Sequence, residues 1–191
     1  MKTRASLIIA TRNRVAQLQA GLQSIRERNY EDVEMILVDD GSTDGSADVI
    51  ESYAGMFSKV ILLPARTTGY SWNPSSVLNV GHQAATADVH FEQGGEVCHL
   101  TDCITPLLEE CSQGVVALAR CYHGPPSDRE ILKRAIEQGQ VVFPPTSRPE
   151  LCHTEAGMWR AASVPPGGIA LYCGEERQAP FLFLGAIHAE D

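Results

Sequence analysis

Nowhere in the 191 residues does an apolar run approach the roughly 18 side chains that a membrane-spanning helix requires. Positive charge is also scarce, with 15 Lys and Arg against 24 Asp and Glu and a formal net charge of -9. A surface of that sign repels phosphate backbones, which excludes general nucleic-acid binding and other polymeric anions as partners. The cysteines (Cys98, Cys103, Cys111, Cys121, Cys152, Cys173) lack any paired Cys-x-x-Cys spacing, so neither a disulfide framework nor a zinc ribbon is indicated and reduced thiols are expected. Met1-Lys2-Thr3-Arg4 runs straight into a short apolar segment with the wrong length and flanks for a secretory signal, so a cytoplasmic chain is expected. Internal repeats and low-complexity segments are absent.

What remains is ordinary for a globular protein, 43% hydrophobic and 20% charged. The length suits one α/β domain over residues 1–191 and is too short for two. Ser6 to Ala10 is apolar, the next four residues are polar, and Val15, Leu18, Leu22 and Ile25 then recur at helical spacing, which reads as strand, loop and helix. Met35 to Val38 is a second strand ending in Asp39-Asp40-Gly41-Ser42-Thr43-Asp44, after which Ala47, Ile50 and Tyr53 mark another helix face. Val60 to Leu63 is a third strand. Asn73-Pro74 caps a helix carrying Val77, Gly81 and Ala84, and Val89 to Phe91 is a fourth strand.

Strands alternating with helices imply a mostly parallel sheet with helices on both faces, whose ligands bind at the carboxyl ends of the strands. The loops from Thr11 to Arg14 and from Asp39 to Ser46 both fall at such ends and can share one crevice. Basic residues before position 30 (Lys2, Arg4, Arg12, Arg14, Arg26, Arg28) suit one small phosphate-bearing ligand there, with solvated surface arginines an equal alternative for the last two. After residue 100 the pattern loosens. A short helix is expected from Thr105-Pro106 through Cys111, a strand from Val115 to Leu118, and a capping box at Ser127 to Glu130 ahead of a helix that Gly139 stops. From Pro144 to Gly174 the abundance of Pro and Gly predicts a long irregular connection before the apolar Phe181 to Leu184.

The pair of loop motifs, Thr11-Arg-Asn-Arg14 and Val38-Asp-Asp-Gly-Ser-Thr-Asp-Gly-Ser46, with Leu22 and Ile25 between them, resembles the opening of family 2 glycosyltransferases. The resemblance continues through Arg66, Gly69, Asn79 and Gly81 and weakens toward the end. It implies the GT-A fold and transfer of sugar, with inversion, from a nucleoside-diphosphate donor, UDP-linked, to a saccharide or lipid-linked saccharide acceptor. By the same resemblance Asp39 accepts the imide N–H of uracil, Ala10 and Thr11 flank the base, Asp40 and Gly41 lie near the ribose, and Arg66 faces the diphosphate. Arg12, Arg14 and Gly69 complete the implied binding set. Ser42, Thr43 and Asp44 are expected to cap the following helix instead. Residues up to about 120 would form the nucleotide side and about 121–191 the acceptor side, where His153 and Trp159 are candidates to line the site.

The departure comes at the metal motif. Most members carry Asp-x-Asp after the fourth strand, whereas this chain has Phe91-Glu-Gln-Gly-Gly-Glu-Val-Cys-His99. It resembles a variant group with Gln-Asn-Pro-Glu followed shortly by His, which implies Glu96 as the carboxylate for Mn2+ or Mg2+ and His99 as a second ligand, with an ordinary structural role open for His99. Zinc at Cys98, His99, Asp102 and Cys103 lacks the usual paired spacing. The family's Gly-Gly-Phe-Asp-Glu base motif has no match in these residues, and Glu190 and Asp191 are the substitutes for the group that would deprotonate the acceptor. Two alternatives stay open: a GT-A-like binding module without catalysis, and a nucleotidyltransferase, whose Gly-rich phosphate loop is missing.

Overall fold

The computed structural model describes residues 5–65, 73–111, 115–118, 120–139, 150–153, 159–163, 169–172 and 185–188. At its centre is β1 (Ala5–Thr11), buried along its whole length. An unbroken apolar run with no polar face suits only an inner strand covered on both sides. β2 (Val33–Asp39) lies parallel on one side, with Thr11 opposite Asp39, and β4 (Val89–Gly94) lies parallel on the other, with Ala10 opposite Gly94. β3 (Lys59–Leu62) adds to β2 as a parallel edge strand.

α1 (Val15–Arg28) buries Leu18, Leu22 and Ile25 on one face of this sheet together with Leu7, Ile9, Leu37 and Phe91. α3 (Pro74–Ala84) covers the other face, where Val77 and Leu78 meet Ile8, Ala10, Ile36 and Val38. The alternation of β1 side chains between these two clusters is the period-two geometry of a strand. Asn73 caps α3 as expected, its Oδ1 accepting from Ser76 N at 3.4 Å with Pro74 in the first turn. α2 (Ser46–Ser52) follows the second loop.

The second half departs from expectation. Beyond β5 (Val97–His99) and α4 (Ile104–Glu110) come β6 (Val115–Leu118), β7 (Arg120–His123), α5 (Arg129–Glu137), β8 (Glu150–His153), β9 (Trp159–Ser163), β10 (Ile169–Tyr172) and β11 (Gly185–His188). Three strands, β8, β9 and β10, thus occupy the stretch expected to be irregular. They are only four or five residues long, too short to stand out against the intervening Pro and Gly. The large sheet runs β3-β2-β1-β4-β11-β6-β9-β8, and β11 is antiparallel to both its neighbours, so the sheet is parallel only in its first half and in the β6–β9 pair. A small sheet, β5-β10-β7, stands beside it.

The capping box at 127–130 is not made. A 3-10 turn, Pro126–Asp128, precedes α5, and Ser127 Oγ bonds Asp128 Oδ1 instead of a helix amide. Gly139 does end that helix, with φ at 66° and its N–H bonded to Ile136 O at 3.0 Å. Among the described residues no helix is long and apolar enough to cross a membrane.

Candidate functional site

The end of β1 is the point from which the chain turns to β2 on one side and, later, to β4 on the other, the switch point at which open α/β sheets form their crevice. Three loops meet there. Asp40 N bonds Thr11 O at 3.0 Å, Gly95 N bonds Ala10 O at 2.8 Å, and Leu63 N bonds Asp39 O at 2.8 Å, so each loop leaves its strand tied to the adjacent strand end.

Asn13 stitches the first two loops together. Its own N–H donates to Ser42 Oγ at 2.9 Å, and its Oδ1 accepts from Thr43 N at 2.7 Å. This needs the left-handed backbone at Asn13, φ 47°, which asparagine tolerates better than most residues. Asp39 is 6% exposed and accepts from Ser42 N at 2.9 Å on Oδ2 and from Ser42 Oγ on Oδ1. Ser42 and Thr43 therefore hold the loop rather than capping α2. Asp44 alone fulfils the capping expectation and extends it: Ser46 N donates to Oδ1 at 3.0 Å and Val15 N, opening α1, donates to Oδ2 at 2.9 Å. Gly41 has φ 70°, and a side chain there would also meet Ala65 Cα at 2.5 Å, so the chain after β3 closes directly over it.

Two carboxylates at the crevice face two arginines of the first loop. Arg12 Nη1 lies 3.1 Å from Asp40 Oδ2, and Arg14 Nε lies 3.9 Å from Glu96 Oε1. Glu96 is 6% exposed and folds back over Gly94, where an added Cβ would stand 2.5 Å from its Oε2. A residue with a side chain at 94 would therefore displace the carboxylate. Thr11 Oγ1 is buried with no hydrogen-bond partner among the described residues.

His99 is engaged by protein groups on both sides of its ring. It is fully buried, with Nδ1 2.9 Å from Tyr30 Oη and Nε2 2.8 Å from Gln93 Oε1, so both ring nitrogens are engaged. Burial and the Arg28 charge lower its pKa to about 3, and it is neutral. Among the described residues no three His, Cys, Asp or Glu side chains converge in a way that would hold a metal. Arg66, Gly69, Glu190 and Asp191 lie outside the described residues. His153 and Trp159 are placed opposite one another in the β8–β9 pair. Of the other early arginines, Arg26 lies over the Tyr53 ring and Arg28 bonds Leu100 O, so neither belongs to the crevice.

A cavity of about 440 Å³ opens elsewhere, lined by Glu27, Arg28, Tyr30, Glu31, Asp32 and Asp102 among others. It adjoins the start of β2, a strand length or roughly 20 Å from Asp39. Its lining carries four acidic side chains against one arginine and does not suit a phosphate ligand, whereas the crevice offers Arg12 and Arg14.

Fold and site together define an α/β domain of the GT-A type, with its ligand crevice at the ends of β1, β2 and β4. The chain belongs to glycosyl transferase family 2, whose profile matches residues 6–163. It is 34% identical over 70 residues to the cholesterol galactosyltransferase of Borreliella burgdorferi, covering 37% of this chain and 20% of that protein. The chain spans between 20% and 32% of the length of the curated relatives it matches. Among solved structures it is similar to the mannosyltransferase PcManGT from Pyrobaculum calidifontis in complex with GDP-Man and Mn2+, with a TM-score of 0.57 and 17% identity over 93% of this chain and 59% of the other. TarS 1-349 of S. aureus in complex with UDP-GlcNAc gives a TM-score of 0.56 at 17% identity, covering 94% and 62%.

Proposed function

We propose that this chain binds a UDP-linked sugar in the crevice at the ends of β1, β2 and β4 and transfers the sugar, with inversion, to the hydroxyl of a saccharide or lipid-linked saccharide. The observation that carries the reading is the meeting of three loops around the end of β1, beside buried Asp39, with Asp40 and Glu96 each set against an arginine. Membership of glycosyl transferase family 2 supports it.

Each Asp39 oxygen already accepts one hydrogen bond from Ser42 and keeps a further lone pair, so the carboxylate is oriented and can still accept an imide N–H. A base that presents an acceptor at that edge leaves the buried carboxylate facing a lone pair and is rejected. Arg12 and Arg14 supply positive charge for the diphosphate, and Asp40 and Glu96 hold them in place until it arrives.

Glu96 fits a divalent cation of the kind shared with a diphosphate, for which one carboxylate suffices, and not a cage made by protein alone. When bound, Mn2+ or Mg2+ would neutralise the charge that builds on the departing diphosphate. Arg66 and Gly69 are assigned to the donor side. Glu190 and Asp191 are the candidates for removing the acceptor proton, within an acceptor-side part spanning about 121–191. The chain is placed in the cytoplasm, at a membrane surface if the acceptor is lipid-linked.

Calorimetric titration of UDP, CDP and GDP, each with Mn2+, tests the donor assignment. UDP is expected to bind best, and Asp39→Ala to weaken it by about 10- to 100-fold, the loss of one charged hydrogen bond. Equal affinity for the three nucleotides, unaltered in Asp39→Ala, would remove Asp39 from the base site. Transfer that disappears in Glu96→Ala separates a working enzyme from a binding module.

A further inference from the structure

Glu96 sits where the chain passes from the large sheet to the small one, in the turn at residues 95–96. Among the described residues no ladder joins β4 to β5: β4 bonds to β1 and β11, and β5 bonds to β10. A direct tie between the two strands is a side-chain bond, His99 Nε2 to Gln93 Oε1 at 2.8 Å, which closes the excursion carrying Glu96. Gln93 Oε1 can only accept, so the network assigns the His99 proton to Nε2 and leaves Nδ1 to accept from Tyr30 O–H at 2.9 Å. Tyr30 Oη in turn accepts from Cys103 N at 3.1 Å, so the phenol is fixed at both its donor and its acceptor. Burial, with the Cys103 and Asp102 side chains, pushes the Tyr30 phenol up, and it stays protonated.

α1 holds the same turn from above. His99 N donates to Ser24 Oγ at 2.8 Å, and Ser24 Oγ donates to Gly21 O at 2.6 Å. Gly95 O lies 2.5 Å from where a Cβ on Gly21 would be, so the helix backbone rests on the turn with no side chain between them.

We propose that Tyr30, His99 and Gln93 are positioning residues that act through the β4–β5 excursion to hold the Glu96 carboxylate over Gly94. The inference rests on the reading of Glu96 as the cation-contacting carboxylate, and it gives His99 a role behind that site instead of at the ion. Removing either end of the relay lets the turn and its carboxylate drift, while Asp39 and the Arg12–Asp40 pair, on other strand ends, remain. Outer partners of this kind typically set 10- to 100-fold in metal affinity.

The test is UDP titration with and without Mn2+ on the wild-type chain, Tyr30→Phe and Gln93→Met. Both variants are expected to lose about ten-fold of the Mn2+-dependent affinity and to keep the metal-free UDP affinity, although neither side chain is a metal ligand. Unchanged Mn2+ enhancement, or equal weakening with and without Mn2+, would overturn the relay. Should Tyr30→Phe fail to fold by circular dichroism, Gln93→Met, an apolar residue of similar length that spares the Tyr30–His99 bond, decides the question. A wild-type chain with no Mn2+ enhancement overturns the Glu96 reading itself, and that result is visible before any substitution is made.

Discussion

Gly94 and Glu96 work as a pair. The carboxylate occupies space that only a glycine two residues earlier leaves open, and the first aspartate of the commoner Asp-x-Asp pattern could not stand at 94 without moving it. Glu96 was legible as a chemical group from the motif; its dependence on Gly94 was not, because a side chain folding backward leaves no periodic signal. For His99 the motif leaves a ligand role and a structural role both open, for a related reason. Gln-x-x-Glu-x-x-His places three polar residues in order, but the middle one faces the crevice while the outer two bond each other beneath it. Tyr30 has no signal in sequence at all, since it meets His99 across a separation of 69 residues. The burial of His99 has a thermodynamic consequence. Its pKa is depressed to about 3 in the fold, so the unfolded chain takes up the proton first. Stability from this group is complete above the ordinary histidine value near pH 6.5 and is lost progressively as the pH falls toward 3. His90, also lowered by burial and by His82, adds in the same direction. Urea unfolding is expected to show a His99 contribution whose slope approaches about 1.4 kcal/mol per pH unit below pH 6, and a shallower overall slope in His99→Gln.

At the scale of elements, β1, β2 and α1 were legible because each is seven residues or longer with an unbroken or periodic apolar pattern, and the short β3 because clear turn and helix signals flank it. Leu18, Leu22 and Ile25 give α1 an unmistakable apolar stripe, and β1 an unbroken core run. The capping box failed because Pro125 and Pro126 favour an extended entry and a 3-10 turn, which turns Ser127 away from the helix amides. Asp44 shows the converse. The sequence places it just ahead of α2, yet its second oxygen also caps α1, a contact between residues 29 apart. Burial alone would raise its pKa, but the bonds from Ser46 and Val15 outweigh that and hold it below the ordinary value. Asp44→Ala is expected to cost about 1 to 2 kcal/mol, the range for losing one helix cap to near two, read as a lower urea midpoint at unchanged slope.

At the scale of the whole molecule, sequence patterning identified the parallel half-sheet and missed the antiparallel insertion of β11 between β4 and β6. That pairing joins residues nearly a hundred positions apart, beyond the reach of any local pattern. It also means that β8, β9 and β11, all beyond residue 120, continue the sheet built by β1 to β4. The cavity beside α1 and the chemically suited crevice lie at opposite ends of β2, and the two make different claims about where ligand binds. Amide hydrogen exchange of the chain with and without UDP and Mn2+ decides between them most directly. Slowed exchange confined to residues 11–14, 39–42 and 94–96 is the expected result, whereas protection around residues 27–33 and 102–105, or none in the three loops, would contradict the assignment of the crevice as the nucleotide site.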